Sequence, residues 1–194
     1  LLCTNTDLIK LFTPVDANCL LACMELTLGS TNLINFTIAS KHPLPIFFNI
    51  ETYKRNLSKG YIVWPKYDHI NPDITICSIG DINTTECYVA INNIMKMYPN
   101  IKIRFISILE LSIIKNMSIE QFNTIFSNSS PILISFIGSV LSAEFIFRKF
   151  NNRNIEYFGY KDCEGVEVSG DVLKTCEISY DKVILNIKRI LNLT

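Results

Sequence analysis

Nothing in this sequence points to a charge-driven partner. Its 18 Lys and Arg are matched by 18 Asp and Glu, for a formal net charge of +0. Without a basic excess there is no electrostatic footprint for nucleic acid, and without a single-sign field there is no steering to a membrane surface. Long hydrophobic runs are missing too. The most apolar stretch, Ile132–Phe147, is interrupted by Ser135, Ser139, Ser142 and Glu144, and is too short and too polar to span a bilayer. Leu1–Leu11 is broken by Thr and Asp and lacks the apolar core of a signal peptide. The cysteines at 3, 19, 23, 77, 87, 163 and 176 are odd in number and contain no C-x-x-C pair, which argues against a disulfide framework and a structural zinc site. The G-x-G-x-x-G, G-x-S-x-G, H-E-x-x-H and P-loop signatures are absent. These exclusions leave an intracellular, cytoplasmic protein with no nucleic-acid and no membrane partner. The first residue is Leu rather than Met, as expected of a fragment or a processed product.

What is present is enough apolar material, 48% of 194 residues, for a sizeable core in one or two domains. The chain opens with a strand at Leu8–Phe12 and a helix at Ala17–Leu28. Helical spacing places Ala17, Leu20, Leu21, Met24 and Leu28 on one face, and Gly29 ends the helix. A second strand spans Asn35–Ser40. This strand–helix–strand unit is too small to bury its own faces and reads as an incomplete domain. Pro43–Pro45 acts as a linker, so residues 1–44 are separated from 45–194.

Regular alternation follows. A short helix is expected at Asn49–Leu57, a short strand at Tyr61–Trp64 and a polar turn at Pro65–Pro72. Ile74–Ile79 has the unbroken apolar pattern of a strand buried on both faces. Asn83-Thr84-Thr85-Glu86 fits a capping box ahead of a helix whose inner stripe is Cys87, Ile91, Ile94 and Tyr98. Strands at Ile101–Leu109, Ile132–Phe136 and Ile155–Tyr160 alternate with helices at Ser118–Ser127, Ser139–Phe150 and Asp181–Leu193. In the closing helix Val183, Ile184, Ile187, Ile190 and Leu191 face inward. The predicted fold is α/β: a doubly wound, mainly parallel, Rossmann-like sheet preceded by a partial βαβ unit.

The candidate site is the loop after the second strand, Ser40-Lys41-His42-Pro43. The prolines stop further sheet pairing and leave a cation at the carboxyl end of a strand, the edge where α/β sheets bind ligands. There Lys41 is suited to phosphate as a point charge, although a solvated loop lysine is the ordinary reading. His42 is a secondary candidate, and His69 reads as a plain surface histidine. Asp16 reads as an N-cap, and Asn18 as part of the same turn. Cys19 and Cys23, one helical turn apart, read as buried small residues before they read as a metal pair. Gly80-Asp81 reads as an ordinary strand-to-helix turn.

Pro14-Val15-Asp16-Ala17-Asn18, followed by helix, strand and Ala39-Ser40-Lys41-His42-Pro43, resembles the PPDAN turn and AGKQP loop of phosphoketolases. Cys77-Ser78-Ile79-Gly80-Asp81, Ile101–Phe105 and Gly159-Tyr160-Lys161 continue the resemblance over nearly the whole chain. Three departures stand out. Ile137-Gly138-Ser139 occupies the place of a His-Gly-Tyr, the segment between Glu110 and Ser118 is shorter, and Cys163–Lys174 replaces a threonine-rich run.

The resemblance implies the tail of a thiamine-diphosphate pyrimidine-type domain (1–44) and a C-terminal domain of the transketolase type (45–194). It implies a parent enzyme that cleaves xylulose 5-phosphate or fructose 6-phosphate with inorganic phosphate, using thiamine diphosphate and magnesium. It also implies upstream catalytic domains in the same protein, a homodimer mate, and a substrate-phosphate contact from Lys41, with His42 beside it. No catalytic residue, cofactor site or metal site is expected in this chain, which alone is not expected to be catalytic. Two other readings stand beside this one: a non-catalytic descendant serving as a structural or interaction subunit, and an unrelated Rossmann-like ligand-binding module.

Overall fold

The computed structural model describes residues 8–127, 129–150, 154–160, 173–174 and 176–193. Lys161 of the Gly-Tyr-Lys motif and nearly all of the Cys163–Lys174 run lie outside them. The chain begins with β1 (Ile9–Phe12), α1 (Ala17–Leu28) and β2 (Ile34–Thr37), and the two strands pair in parallel as a small sheet of their own. Then follow α2 (Ile50–Leu57), β3 (Tyr61–Asp68), β4 (Ile74–Ile79), α3 (Asp81–Met97), β5 (Ile103–Ile108), α4 (Leu111–Asn116) and α5 (Ile119–Phe126). The chain ends with β6 (Ile132–Ser139), α6 (Val140–Phe147), a 3-10 turn at Arg148–Phe150, β7 (Ile155–Tyr160) and α7 (Tyr180–Leu191).

The larger sheet has the order β3-β5-β4-β6-β7. All its pairings are parallel except β3 with β5. Every residue of β4 is buried, as an unbroken apolar strand at the centre of a two-faced sheet must be. One face packs Cys77, Ile79, Ile106, Ile134 and Phe136 against α4, α5 and α6. The other packs Ile76, Ile103, Phe105 and Leu133 against α3 and α7. Helices on both faces make the fold doubly wound α/β. From β4 the chain turns to β5 on one side, then crosses back to β6 on the other. The carboxyl ends of β4 and β6 therefore flank the topological switch point.

Several elements differ from the sequence expectation. In α1 the buried residues are Cys19, Ala22 and Cys23, whereas Leu21, Met24 and Leu28 are exposed. Periodicity identified an apolar stripe, but α1 lies on α2 and β3 through its small side chains, in a cluster with Val15, Tyr53, Leu57 and Ile62. β3 runs on through Pro65 to Asp68. Proline is tolerated because β3 is an edge strand and its register with β5 shifts between Val63 and Asp68. A short helix, α4, fills the segment after Glu110, whose carboxylate caps it through Ser112 N at 3.1 Å. Cys176 is disulfide-bonded, a bond that the odd cysteine count and the lack of a C-x-x-C pair do not predict. Cys19, Cys23, Cys77 and Cys87 are free and buried.

Candidate functional site

The turn before α1 does more than start a helix. Asp16 has extended backbone, and its Oδ1 accepts from Cys19 N at 2.8 Å, the capping bond expected from sequence. Its Oδ2 accepts from Phe47 N and from the Tyr53 hydroxyl, each at 2.7 Å. Asn18 Nδ2 donates to Phe48 O at 2.9 Å. The Asp16 carboxylate is only 4% exposed and is satisfied on both oxygens, as a buried charge must be. Burial, and then the neighbouring carboxylate, push the Tyr53 phenol far above its ordinary range, so it stays a donor. Sequence reasoning found the cap but had no signal for Tyr53, 37 residues away.

A second carboxylate holds the chain just before Lys41. Asp81, in the first turn of α3, accepts from Ile82 N through Oδ1 at 2.7 Å and from Ser40 N through Oδ2 at 2.5 Å. Ser40 Oγ in turn accepts from His42 N at 3.1 Å. Lys41 to Ile46 thus spans two anchors, Ser40 on Asp81 and Phe47 on Asp16. Lys41 and His42 are both exposed. β2 ends at Thr37, four residues before Lys41, so the lysine is carried by a tethered loop rather than by the last residue of a strand. The loop nevertheless reaches the carboxyl edge of the larger sheet, because Asp81 directly follows β4 and Gly80 there. His69 is exposed, just past the end of β3.

Buried hydroxyls hold the β4–α3 turn from below. Trp64 Nε1 donates to Ser107 Oγ at 2.9 Å, Ser107 Oγ contacts Ser78 Oγ at 2.8 Å, and Ser78 Oγ contacts Thr84 Oγ1 at 2.9 Å. Thr84 Oγ1 donates to Gly80 O at 2.7 Å. An indole N–H can only donate and a carbonyl can only accept, while each hydroxyl has one proton. The direction along the chain is therefore determined: Trp64 to Ser107 to Ser78 to Thr84 to Gly80. Gly80 itself has φ 101°, and a Cβ there would lie 2.7 Å from the Ile137 side chain. Backbone strain and lack of room both require glycine at this position.

The expected capping box does not form. Gly80 is the N-cap, without a side-chain cap bond, and α3 begins at Asp81. Asn83 is fully buried inside the helix and donates to Ser135 Oγ at 2.7 Å, while its Oδ1 has no partner. Glu86 instead reaches the far helix, where its Oε2 accepts from Tyr180 N at 2.5 Å at the start of α7. Burial raises its carboxyl above the ordinary value of 4.5.

The Gly80 turn is an ordinary strand-to-helix connection and not a nucleotide loop. The Ile137 side chain packs over Gly80, and Asp81 places a carboxylate where an anion would need amides. Among the described residues no group of three or more His, Cys, Asp or Glu could hold a metal ion. Cys19 and Cys23 are buried, as the plain packing reading expects. The contact with Cys23, and then burial, push the Cys19 thiol far above its ordinary range. Among the described residues no helix is long and apolar enough to cross a membrane.

Comparison with known proteins agrees with this architecture. Residues 41–190 match the model of the XFP C-terminal domain. A probable phosphoketolase 2 of Lactiplantibacillus plantarum is 31% identical over 81% of this chain and 21% of its own length. A probable phosphoketolase of Rhodopseudomonas palustris is 27% identical over 94% of this chain and 23% of its own length. The chain thus spans less than a quarter of these relatives. A transketolase variant from Pichia stipitis superposes with a TM-score of 0.70 at 20% identity, over 95% of this chain and 25% of that one, which is a likeness of fold. With the family model matched over most of its length, the chain belongs to the phosphoketolase family, as a divergent member that carries the family's C-terminal domain.

Proposed function

We propose that the chain is the end of the pyrimidine-type domain (1–44) and the C-terminal domain (45–194) of a cytoplasmic phosphoketolase. The whole protein cleaves xylulose 5-phosphate or fructose 6-phosphate with inorganic phosphate, giving acetyl phosphate, an aldose phosphate and water. Thiamine diphosphate and magnesium belong to its upstream catalytic domains. In this chain Lys41, with His42 beside it, meets the ester phosphate of the sugar, and the C-terminal domain supports a homodimer. The observation that carries this reading is the tethering of the Lys41 loop to the carboxyl edge of the sheet through Ser40 and Asp81. The exposed apolar side chains of the first unit, Leu21, Met24, Leu28 and Ile34 among them, support an upstream partner domain.

Replacement of Lys41 tests the reading in the full-length protein. Loss of one charge-assisted phosphate contact is expected to cost roughly 1.5–3 kcal/mol, about ten- to a hundredfold in affinity. Lys41→Ala should therefore weaken use of the ketose phosphate and leave the thermal midpoint nearly unchanged. Lys41→Arg should recover only part of the loss, since a planar fork does not replace a point charge. Wild-type turnover and substrate affinity in Lys41→Ala would refute the assignment.

A second reading is a catalytically inactive descendant kept as a structural or interaction subunit. It is favoured by Ile137, which packs over Gly80 at the switch point, in the run that departs from the family pattern. Full-length protein that forms the dimer but yields no acetyl phosphate from either ketose phosphate would favour this reading over the enzyme.

A further inference from the structure

We propose that Asp81 is the positioning residue for Lys41; this rests on the phosphate-contact reading of its loop. Asp81 does not cap α3, since Gly80 is the N-cap and no side-chain cap bond forms there. Burial of a carboxylate is costly unless both oxygens are bonded. Here both are, one to Ile82 N and one across 41 residues to Ser40 N at 2.5 Å. A charge-assisted bond of this kind is stronger than a neutral one.

The tether acts on both sides of Lys41. Asp81 holds Ser40 N, and the Ser40 hydroxyl holds His42 N at 3.1 Å. Pro43 follows at once and restricts the backbone further. Asp81 is itself fixed by the turn beneath it, where the hydroxyl chain from Trp64 ends on Gly80 O and Ile137 packs on the Gly80 face. At 4% exposure the carboxylate is not available to substrate. Its role is to order the loop before a phosphate ester arrives, so that binding does not have to order it.

The test is a double-mutant cycle in the full-length holoenzyme, read by calorimetric binding of fructose 6-phosphate without inorganic phosphate. Lys41→Ala is expected to weaken binding about ten- to a hundredfold. Asp81→Ala is expected to weaken it about three- to tenfold, since the lysine remains but its loop is no longer pre-ordered. In the Lys41→Ala background Asp81→Ala should add nothing, a coupling that a purely structural residue would not show. Weakening by Lys41→Ala but not by Asp81→Ala, or additive effects, overturns the role of Asp81 and leaves that of Lys41. No weakening by Lys41→Ala overturns both. Should Asp81→Ala not fold, Asp81→Asn replaces it, with about a two- to threefold loss that again vanishes without Lys41. Unchanged affinity in Asp81→Asn then overturns the proposal.

Discussion

The two sheets of this molecule treat their apolar residues in opposite ways. In the five-stranded sheet both faces are covered, and Ile76, Ile79, Ile106 and Ile134 are fully buried. In the β1–α1–β2 unit the residues of β2 alternate between exposed and half-buried, and Leu28 of α1 is 80% exposed. The unit is buried where Phe12, Val15, Cys19, Ala22 and Cys23 meet Tyr53, Leu57, Ile62 and Leu109, and where Leu11 joins the cluster of Leu111 and Ile114. Two parallel strands and one helix do not make two covered layers. The larger sheet is covered on both faces, whereas the first unit shares its buried cluster with α2 and β3 and leaves Leu21, Met24 and Leu28 of α1 exposed.

The largest test of that contrast is to cut between the regions. Limited proteolysis is expected to cleave near residues 43–48, leaving a resistant fragment from there to the C-terminus while the first unit is degraded. A stable N-terminal fragment would break the comparison, because it would show that the unit completes its own core.

Matched truncations sharpen it. Ile76→Ala in the larger sheet is expected to cost about 2–5 kcal/mol, the range for a fully buried aliphatic side chain. Ile34→Ala in β2, at a site 55% exposed in this chain, should cost less than about 0.5 kcal/mol. Chemical denaturation of the two variants measures both, and equal losses would contradict the exposure of the first unit.

The joint between the regions comes next. Asp16→Ala strands the Tyr53 hydroxyl and Phe47 N and removes the α1 cap, at a cost of about 3 kcal/mol. That corresponds to a fall in midpoint of roughly 6–12 °C for a chain of this size. Tyr53→Phe removes only one of these bonds and should cost about 1 kcal/mol. A midpoint within 2 °C of wild type for Asp16→Ala, where roughly 6–12 °C is expected, would show that the carboxylate does not join the two regions.

The smallest effect is one of pH and belongs to the larger domain. Burial raises the carboxyls of Glu86 and Glu110 above 4.5 in the folded protein. Between that value and their raised folded values, the folded state holds protons that the unfolded chain has released. Stability contributed by these groups is therefore lost as pH rises through this window. Glu86→Gln keeps an acceptor for Tyr180 N and should flatten the fall, measured as the midpoint between pH 4.5 and neutrality. A steeper fall in that variant would reverse the sign of the argument.

Much of the fold was legible in the order of residues. β4 has an unbroken apolar run, the inner stripe of α3 holds Cys87, Ile91 and Ile94, and α7 buries Val183 and Ile187. Each is a local periodicity, and burial on two covered faces demands it. Asp16 was legible as a cap for the same reason, because its first partner, Cys19 N, is three residues away. The candidate loop was legible as a cation between a strand and two prolines.

Local pattern could not reach what depended on distant partners. The Leu-rich side of α1 looked like its inner face, but burial went to Cys19, Ala22 and Cys23, since periodicity reports that a stripe is apolar and not what covers it. Asn83 and Glu86 looked like a capping box, but Ser135 and Tyr180 N, 52 and 94 residues away, took their side chains. Pro65 looked like the end of β3, but the edge position of that strand made its missing N–H harmless. Asp81 looked like part of a plain turn, and only folding placed Ser40 N on its carboxylate. The sequence by itself thus determined most of the strands and helices, though not α4 or the full length of β3, and where a cation stands, because those follow from spacing along the chain. The tertiary structure alone decided which faces are covered and which buried carboxylates hold the Lys41 loop, because hydrogen-bond partners and covering surfaces come from residues far apart in sequence.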